Sequence, residues 1–456
     1  MARPLSASDN YPPQMPPEVE ADLEQAARLV LERNRRPLWT CPSTRLYPHQ
    51  WLWDSCFIAI GVARYDPSRA AGELNALFRG QWSNGMLPHM IFDERVKGIG
   101  SRRIWRSRKN PLAPRDVDTS CVTQPPLPAI AVHRVAQTLP ALQREVFLRD
   151  LFPKLIAYHQ WLYDERDPHD SGLVTLIHPW ECGLDTTPPW MQALAQMSLP
   201  WWLRITSRLH LARAVRMLRT DTRYIPAAER PSDDDGLRML VLATRAKKHQ
   251  FKLDQMPRQG SVLIEDLAFN AIFAAANRSL ELVAQDLDVA LPTPLQQKMQ
   301  QTDAAFEQLW DEASGQYYSR NATTQQLIKV PTVATFLPLW SGIPSPARAE
   351  QLVALLRTAT RFWPQYPVPS VSVDAPEFRE SGYWKGPTWV NMNWMIEEGL
   401  RNYEHVDLAE ELRLRTLQFV ERAGFSEYFS PRTGQGYGAD DFSWTAALVI
   451  DLLARA

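Results

Sequence analysis

The chain has 456 residues, 45% of them hydrophobic and 22% charged, with a net charge of −1. That is the balance of a water-soluble globular protein, large enough for one big domain or two to three ordinary ones. A charge so near zero excludes global steering toward nucleic acid or an anionic membrane.

In chain order, the Pro-rich start to about Pro17 reads as a flexible lead-in, and residues 18–456 as a single domain. It has no apolar signal-like stretch, and no later run approaches the length of a membrane span. From Glu18 the pattern turns helical, beginning with "EVEADLEQAARLVLERN". "VFLRDLFPKLIAYHQWL" sets Leu148, Leu151, Phe152, Leu155 and Ile156 at steps of three and four, one apolar stripe. Similar stripes occur in "EDLAFNAIFAAANRSLELVAQDL", "PARAEQLVALLRTATRF", "LAEELRLRTLQFVERAG" and "DDFSWTAALVIDLLARA". Strand signals are sparse; "LVTLIH" and "GQYYSR" predict small hairpins. The total is roughly a dozen helices with no repeat of fixed period.

The connections carry more information. Long loops rich in Trp, Gly, Pro, Asp and Tyr fall at 40–56, 82–93, 119–126, 178–190, 380–394 and 426–444. Such loops between helical pairs predict a helical scaffold carrying one site. Segment 190–260 differs: Arg204, Arg208, Arg213, Arg216, Arg219 and Arg223 precede the acidic turn "AAERPSDDDG". It reads either as a solvated helix face beside a loop or as a lid candidate facing an anionic part of a ligand.

Several chemistries lack their signatures. The nine histidines and four scattered cysteines show no zinc spacing, and neither a phosphate-binding loop nor a nucleophile elbow is present. "GQGYGAD" reads as a turn. No metal, cofactor, nucleic acid or membrane partner is therefore expected, and the unpaired cysteines fit a reduced, cytoplasmic protein. What remains is carboxylates beside aromatics, in a chain with 17 Trp. "YPHQWLWDSCF" holds Tyr47, Trp51 and Asp54. "HPWECGLD" holds Trp180, Glu181 and Asp185. "ESGYWKGPTWVNMNW" holds Tyr383, Trp384 and Trp389, and "FSEYFSPRTGQGYGADDFSW" holds Glu427. Ring faces stack on sugars while acids accept bonds from their hydroxyls. Caps and loop anchors explain any one cluster equally well; four together favour one carbohydrate site.

These stretches, with "SNGMLPHMIF", "TQPPLPAIAV" and "LWDEASGQYYSR", resemble glycoside hydrolase family 63 and its bacterial glucosylglycerate and mannosylglycerate hydrolases. The likeness runs from about residue 20 to the C-terminus in family order. It implies an all-α fold, an (α/α)6 barrel or helical toroid whose loops at one end build the site. It also implies an inverting α-glycosidase with Asp185 as general acid and Glu427 as general base. In such an enzyme the two carboxyl groups stand about 6.5–9.5 Å apart, leaving room for a water. Burial against Trp180 and nearby loops would keep Asp185 protonated near neutral pH.

The resemblance carries Tyr47, Trp51, Asp54, His89, Gln124, Tyr383, Trp384 and Trp389 over to the sugar subsite. Trp180 lines the same wall, and Glu181 orients the loop or bonds a hydroxyl. Two departures stand out. Relatives read G-x-D-N-S-P-x-W-D, whereas this chain has Thr186 and Thr187 after the acid and Met191 at the end. The stretch that supplies an Arg and a Tyr to glycerate keeps Arg230 but has Gly236 in place of the Tyr. The expected substrate is a small α-glucoside or α-mannoside, glucosylglycerate first. A trehalase-like or debranching-type α-glucosidase and a catalytically silent sugar-binding protein stand as alternatives, and a homo-oligomer is left open.

Overall fold

A computed structural model describes residues 14–96, 104–197, 225–257 and 261–455. The arginine run from Arg204 to Arg223, and with it the middle of the lid candidate, lies outside the described residues.

Fourteen α-helices occur among the described residues, and twelve of them alternate between two concentric layers. They are α1 (Pro17–Arg33), α2 (Leu52–Val62), α3 (Pro67–Phe78), α4 (Pro128–Thr138), α5 (Ala141–Arg166), α6 (Pro188–Gln196) and α7 (Asp233–Lys248). Then follow α8 (Leu267–Asp286), α9 (Thr293–Ala305), α10 (Leu337–Ser341), α11 (Pro346–Leu356), α12 (Val390–Asn402), α13 (Val406–Ala423) and α14 (Ser443–Leu453). Contacts run α2–α4–α8–α10–α12–α14 and back to α2, a closed ring of six. Outside it, α1 packs on α14, α3 on α2 and α4, α5 on α4 and α8, α9 on α8, and α13 on α12. This is an (α/α)6 barrel. Only α6 and α7 stand apart from the alternation, and they contact each other.

Strict inner–outer alternation sends every inner helix the same way along the barrel axis. Their N-termini therefore share one end, and the loops that lead into them gather there. Some of these loops end in a residue suited to starting a helix. Asp266 caps α8 by accepting from the Phe269 N–H at 3.1 Å, and Pro stands in the first turn of α4, α6 and α10.

Every residue of α2 is buried. A Cβ on Gly61 would sit 2.1 Å from the Ala447 carbonyl oxygen, so only glycine permits this approach of α2 to α14. A helix buried all round has no apolar stripe. For that reason the loop expected at 40–56 runs into α2; the one expected at 380–394 likewise overlaps the first turn of α12. The stripes read from sequence fall on the outer helices α1, α5, α11 and α13 and the inner helices α8 and α14, with α5 running to 26 residues through Pro153; α3 and α9 carry no stripe named there.

Four two-stranded ribbons tie the loops together: Gln50–Trp51 with Met90–Ile91, Ile264–Glu265 with Arg320–Asn321, Trp310–Asp311 with Gln316–Tyr317, and Tyr428–Phe429 with Gly436–Tyr437. "GQYYSR" thus supplies a hairpin strand. "LVTLIH" makes only an isolated bridge, Leu176 to Ile264. No described helix is long and apolar enough to cross a membrane.

Candidate active site

Glu427 leads into the ribbon that precedes α14. Its N–H donates to the Ala439 carbonyl at 2.8 Å, and the Ala439 N–H donates back to Glu427 Oε2 at 3.0 Å. Between them Gly438 has φ +74°, and a Cβ there would lie 2.6 Å from Glu427 Oε2. Glycine is needed for both the conformation and the space. The Tyr47 hydroxyl donates to Glu427 Oε1 at 2.9 Å, and Arg230 Nη2 donates to that hydroxyl at 2.7 Å. Arg230 Nη1 stands 3.5 Å from Glu427 Oε2. The guanidinium lies 4.5 Å from the centre of the Tyr383 ring, a cation–π placement.

Asp185 follows a short turn, Pro179–Glu181, and the left-handed Gly183 at φ +75°. A Cβ on Gly183 would come within 2.8 Å of the Trp53 ring. Beyond Asp185, the Thr186 hydroxyl accepts from the Trp384 N–H at 3.4 Å, joining the acid's loop to the 380–390 loop. The Asn-to-Thr departure therefore retains a side-chain oxygen where that loop needs an acceptor.

Burial pushes the Asp185 carboxyl up to about 7; Arg230 opposes the shift and Glu427 adds to it. Burial also raises Glu427, against Arg230, the Ala439 N–H and Tyr47. Asp54, in the first turn of α2, is pushed well up by burial, with Glu427 and Asp185 adding to the effect. Three carboxyls thus share one field, near Arg230. Around neutral pH Asp185 divides between its protonated and ionised forms, so it can give up a proton, while the contacts on Glu427 are those of an ionised acceptor.

Of the aromatic residues named from sequence, Tyr47, Trp51, His89 and Trp180 form a connected wall through Trp105, which was not singled out from sequence. Trp180 packs on Trp105, Trp105 on His89, His89 on Trp51, and Trp51 on Tyr47. Trp384 and Trp389 stack face to face at 3.7 Å, and Trp389 stacks on Tyr428. The buried indole nitrogens of Trp51 and Trp384 have no hydrogen-bond partner among the described residues. Gln124 accepts from the Trp53 N–H at 3.4 Å. His89 bonds the Ser120 hydroxyl through Nδ1, and burial holds its pKa near 3, so it stays neutral.

Glu181 is placed differently. It is fully buried, pairs with Arg166 at 2.6 Å through Oε1, and accepts from the Ile177 N–H at 2.8 Å through Oε2. Both oxygens hold the loop in place, the orienting role of the two expected for it. Sequence reasoning passed over Glu229. Its carbonyl accepts from the Tyr428 hydroxyl at 2.5 Å and its Oε2 from the Gly438 N–H at 2.9 Å. It pins the Arg230 segment to the hairpin of Glu427, and only its position beside Arg230 could have marked it. Lys385 Nζ reaches Asp235 of α7 at 3.1 Å, tying the Trp384 loop to the same segment. No cluster of three metal-ligating side chains occurs among the described residues.

Comparison with known proteins supplies the family. A family model, the mannosylglycerate hydrolase MGH1-like glycoside hydrolase domain, matches residues 47–445. A mannosylglycerate hydrolase of Thermus thermophilus is 38% identical over 429 residues, which cover 92% of this chain and 98% of that protein. A glucosylglycerate hydrolase of Mycolicibacterium hassiacum is 32% identical, covering 97% of this chain and all of its own. The crystal structure of a family 63 mannosylglycerate hydrolase from Thermus thermophilus, in complex with Tris and D-glycerate, superposes with a TM-score of 0.85. It is 37% identical and covers 95% of this chain and 100% of its own.

Proposed function

The chain belongs to the mannosylglycerate hydrolase MGH1-like glycoside hydrolase family and is a glycoside hydrolase, and on that footing we propose that it hydrolyses a small α-glycoside of glycerate with inversion. The greater similarity to relatives named mannosylglycerate hydrolase than to the one named glucosylglycerate hydrolase supports mannosylglycerate as the first candidate, in place of the glucosylglycerate expected first from the sequence. The observation that carries the proposal is the electrostatic division within one cluster. Asp185 is poised near pH 7, and Glu427 is held among an arginine, a tyrosine hydroxyl and a backbone N–H.

In this mechanism Asp185 gives its proton to the glycosidic oxygen as the bond from that oxygen to C1 breaks. Glu427 takes a proton from a water whose oxygen attaches to C1 from the opposite face. Asp185 ends ionised and Glu427 protonated, and exchange with solvent restores both. The indole N–H groups of Trp51 and Trp384 offer donors for sugar hydroxyls, and Trp389, stacked between Trp384 and Tyr428, backs Trp384. Arg230 supplies the cation for the glycerate carboxylate, without the tyrosine that Gly236 replaces.

The test is turnover of mannosylglycerate, glucosylglycerate, trehalose and isomaltose by the wild type and by Asp185→Asn and Glu427→Gln. The reading predicts hydrolysis of the two glycerate glycosides, with each substitution lowering kcat by about 10²–10⁴-fold, the scale of general acid–base catalysis. Turnover of trehalose alone would replace the substrate, and full activity in either variant would remove that residue from the chemistry.

A further inference from the structure

Arg230, which the mechanism above gives to the substrate carboxylate, also rests against the base. Arg230 Nη1 lies 3.5 Å from Glu427 Oε2, and Nη2 donates to the same Tyr47 hydroxyl that donates to Glu427 Oε1. With the Ala439 N–H on Oε2 as well, both oxygens of Glu427 are engaged, and a carboxylate so engaged has fewer lone pairs to direct at a water. The segment bearing Arg230 is fixed by Glu229, through the Tyr428 hydroxyl and the Gly438 N–H. The guanidinium lies over Tyr383, whose ring offers a flat track to slide along. Its backbone is anchored while its head is held by ionic contacts that another carboxylate can match.

We propose that Arg230 is a partner-switching residue: the carboxylate of the substrate draws its guanidinium away from Glu427, and only then is the base free to accept a proton from water. This rests on the reading of the substrate as a carboxylate-bearing glycoside. It makes the aglycone's charge a condition for turnover as well as for binding, and it places Arg230 as a positioning residue that acts through Glu427.

An α-mannosyl fluoride, or its glucosyl counterpart, isolates the base. Fluoride leaves C1 without needing the proton of Asp185, while Glu427 still takes a proton from the water that attaches to C1. It also leaves the aglycone position open to added D-glycerate. In the wild type, D-glycerate should accelerate fluoride release at least fivefold, and glycerol, of the same shape without the charge, should not. Arg230→Gln should hydrolyse the fluoride faster than the unassisted wild type and gain nothing from D-glycerate. Because Arg230 holds the Glu427 pKa down, the acidic limb of the variant's pH profile should move to higher pH, to where glycerate-saturated wild type lies. Unchanged or slowed wild-type release at saturating D-glycerate overturns the switch, as does a variant slower than wild type. Failure of the substrate reading shows separately, as no hydrolysis of either glycosylglycerate while the fluoride is still turned over.

Discussion

The two ends of the inner ring use the same materials to opposite effect. At the N-terminal end Asp54, Asp185 and Glu427 gather near Arg230, and each carboxyl is raised above its ordinary range. At the C-terminal end Glu397, Glu398 and Asp451 meet Arg455, with Arg134 on Glu398, Arg64 on Asp451 and Arg401 on Glu397. There Glu398 is lowered and Asp451 falls to about 2, because the surrounding arginines outweigh burial. Both sets of acids are buried or nearly so, so depth alone does not decide their protonation; the ratio of cations to carboxylates does. One end is a charge-matched plug, and the other holds acids in a state that costs folding energy and suits proton transfer.

Arg455→Met is the hardest test of the plug. It leaves Glu397, Glu398 and Asp451 short of a buried cation, a change on the order of 3–5 kcal/mol. A denaturant midpoint should fall accordingly, with kcat of the remaining folded enzyme unchanged. An unmoved midpoint would show that the network contributes nothing.

Asp185→Asn probes the other end, with the opposite sign. A carboxyl whose folded pKa is raised to about 7 from 3.8 binds more protons folded than unfolded. Its destabilising effect therefore appears as pH rises from about 4 and is complete above about 7. The variant should be more stable than wild type at pH 8, by about 1–2 kcal/mol after allowing for partial solvent access. The gain should vanish at pH 4. A stability loss at pH 8 would mean that Asp185 is not under the strain described.

The same shift sets a kinetic limb. If Asp185 acts as the proton donor, activity falls as pH rises through about 7, and Glu427 sets an acidic limb above the ordinary glutamate range. A flat profile from pH 6 to 9 would break that assignment. The smallest effect is expected from Trp51→Phe, which keeps a ring but removes an unpartnered indole N–H. One hydrogen bond to a sugar hydroxyl corresponds to a rise in KM of about two- to tenfold, with kcat little changed.

Legibility in the sequence followed apolar patterning, which also marks the inner helices α8 and α14. Outer helices such as α5 and α13 announce themselves by an apolar stripe because one face meets water. The inner helix α2 does not, since every side chain in it is buried and no period survives. The candidate acids and aromatics stood out because carboxylates among tryptophans in Gly- and Pro-rich loops are unusual, and the family resemblance then gave them roles. Pairings across the chain were not legible. Nothing in "HPWECGLD" says that Glu181 is committed to Arg166, or that Arg230 rests against a glutamate 197 positions away (427 − 230). Such contacts depend on how the six loops converge, which no local pattern encodes.

The central claim, that a protonated Asp185 and an ionised Glu427 act from opposite faces of the sugar, is tested most directly by proton NMR. Purified enzyme is given mannosylglycerate or glucosylglycerate, and the first anomer released is recorded before mutarotation. The account predicts the β-sugar from the α-linked substrate. Early α-sugar would show retention, and the roles assigned to Asp185 and Glu427 would be contradicted.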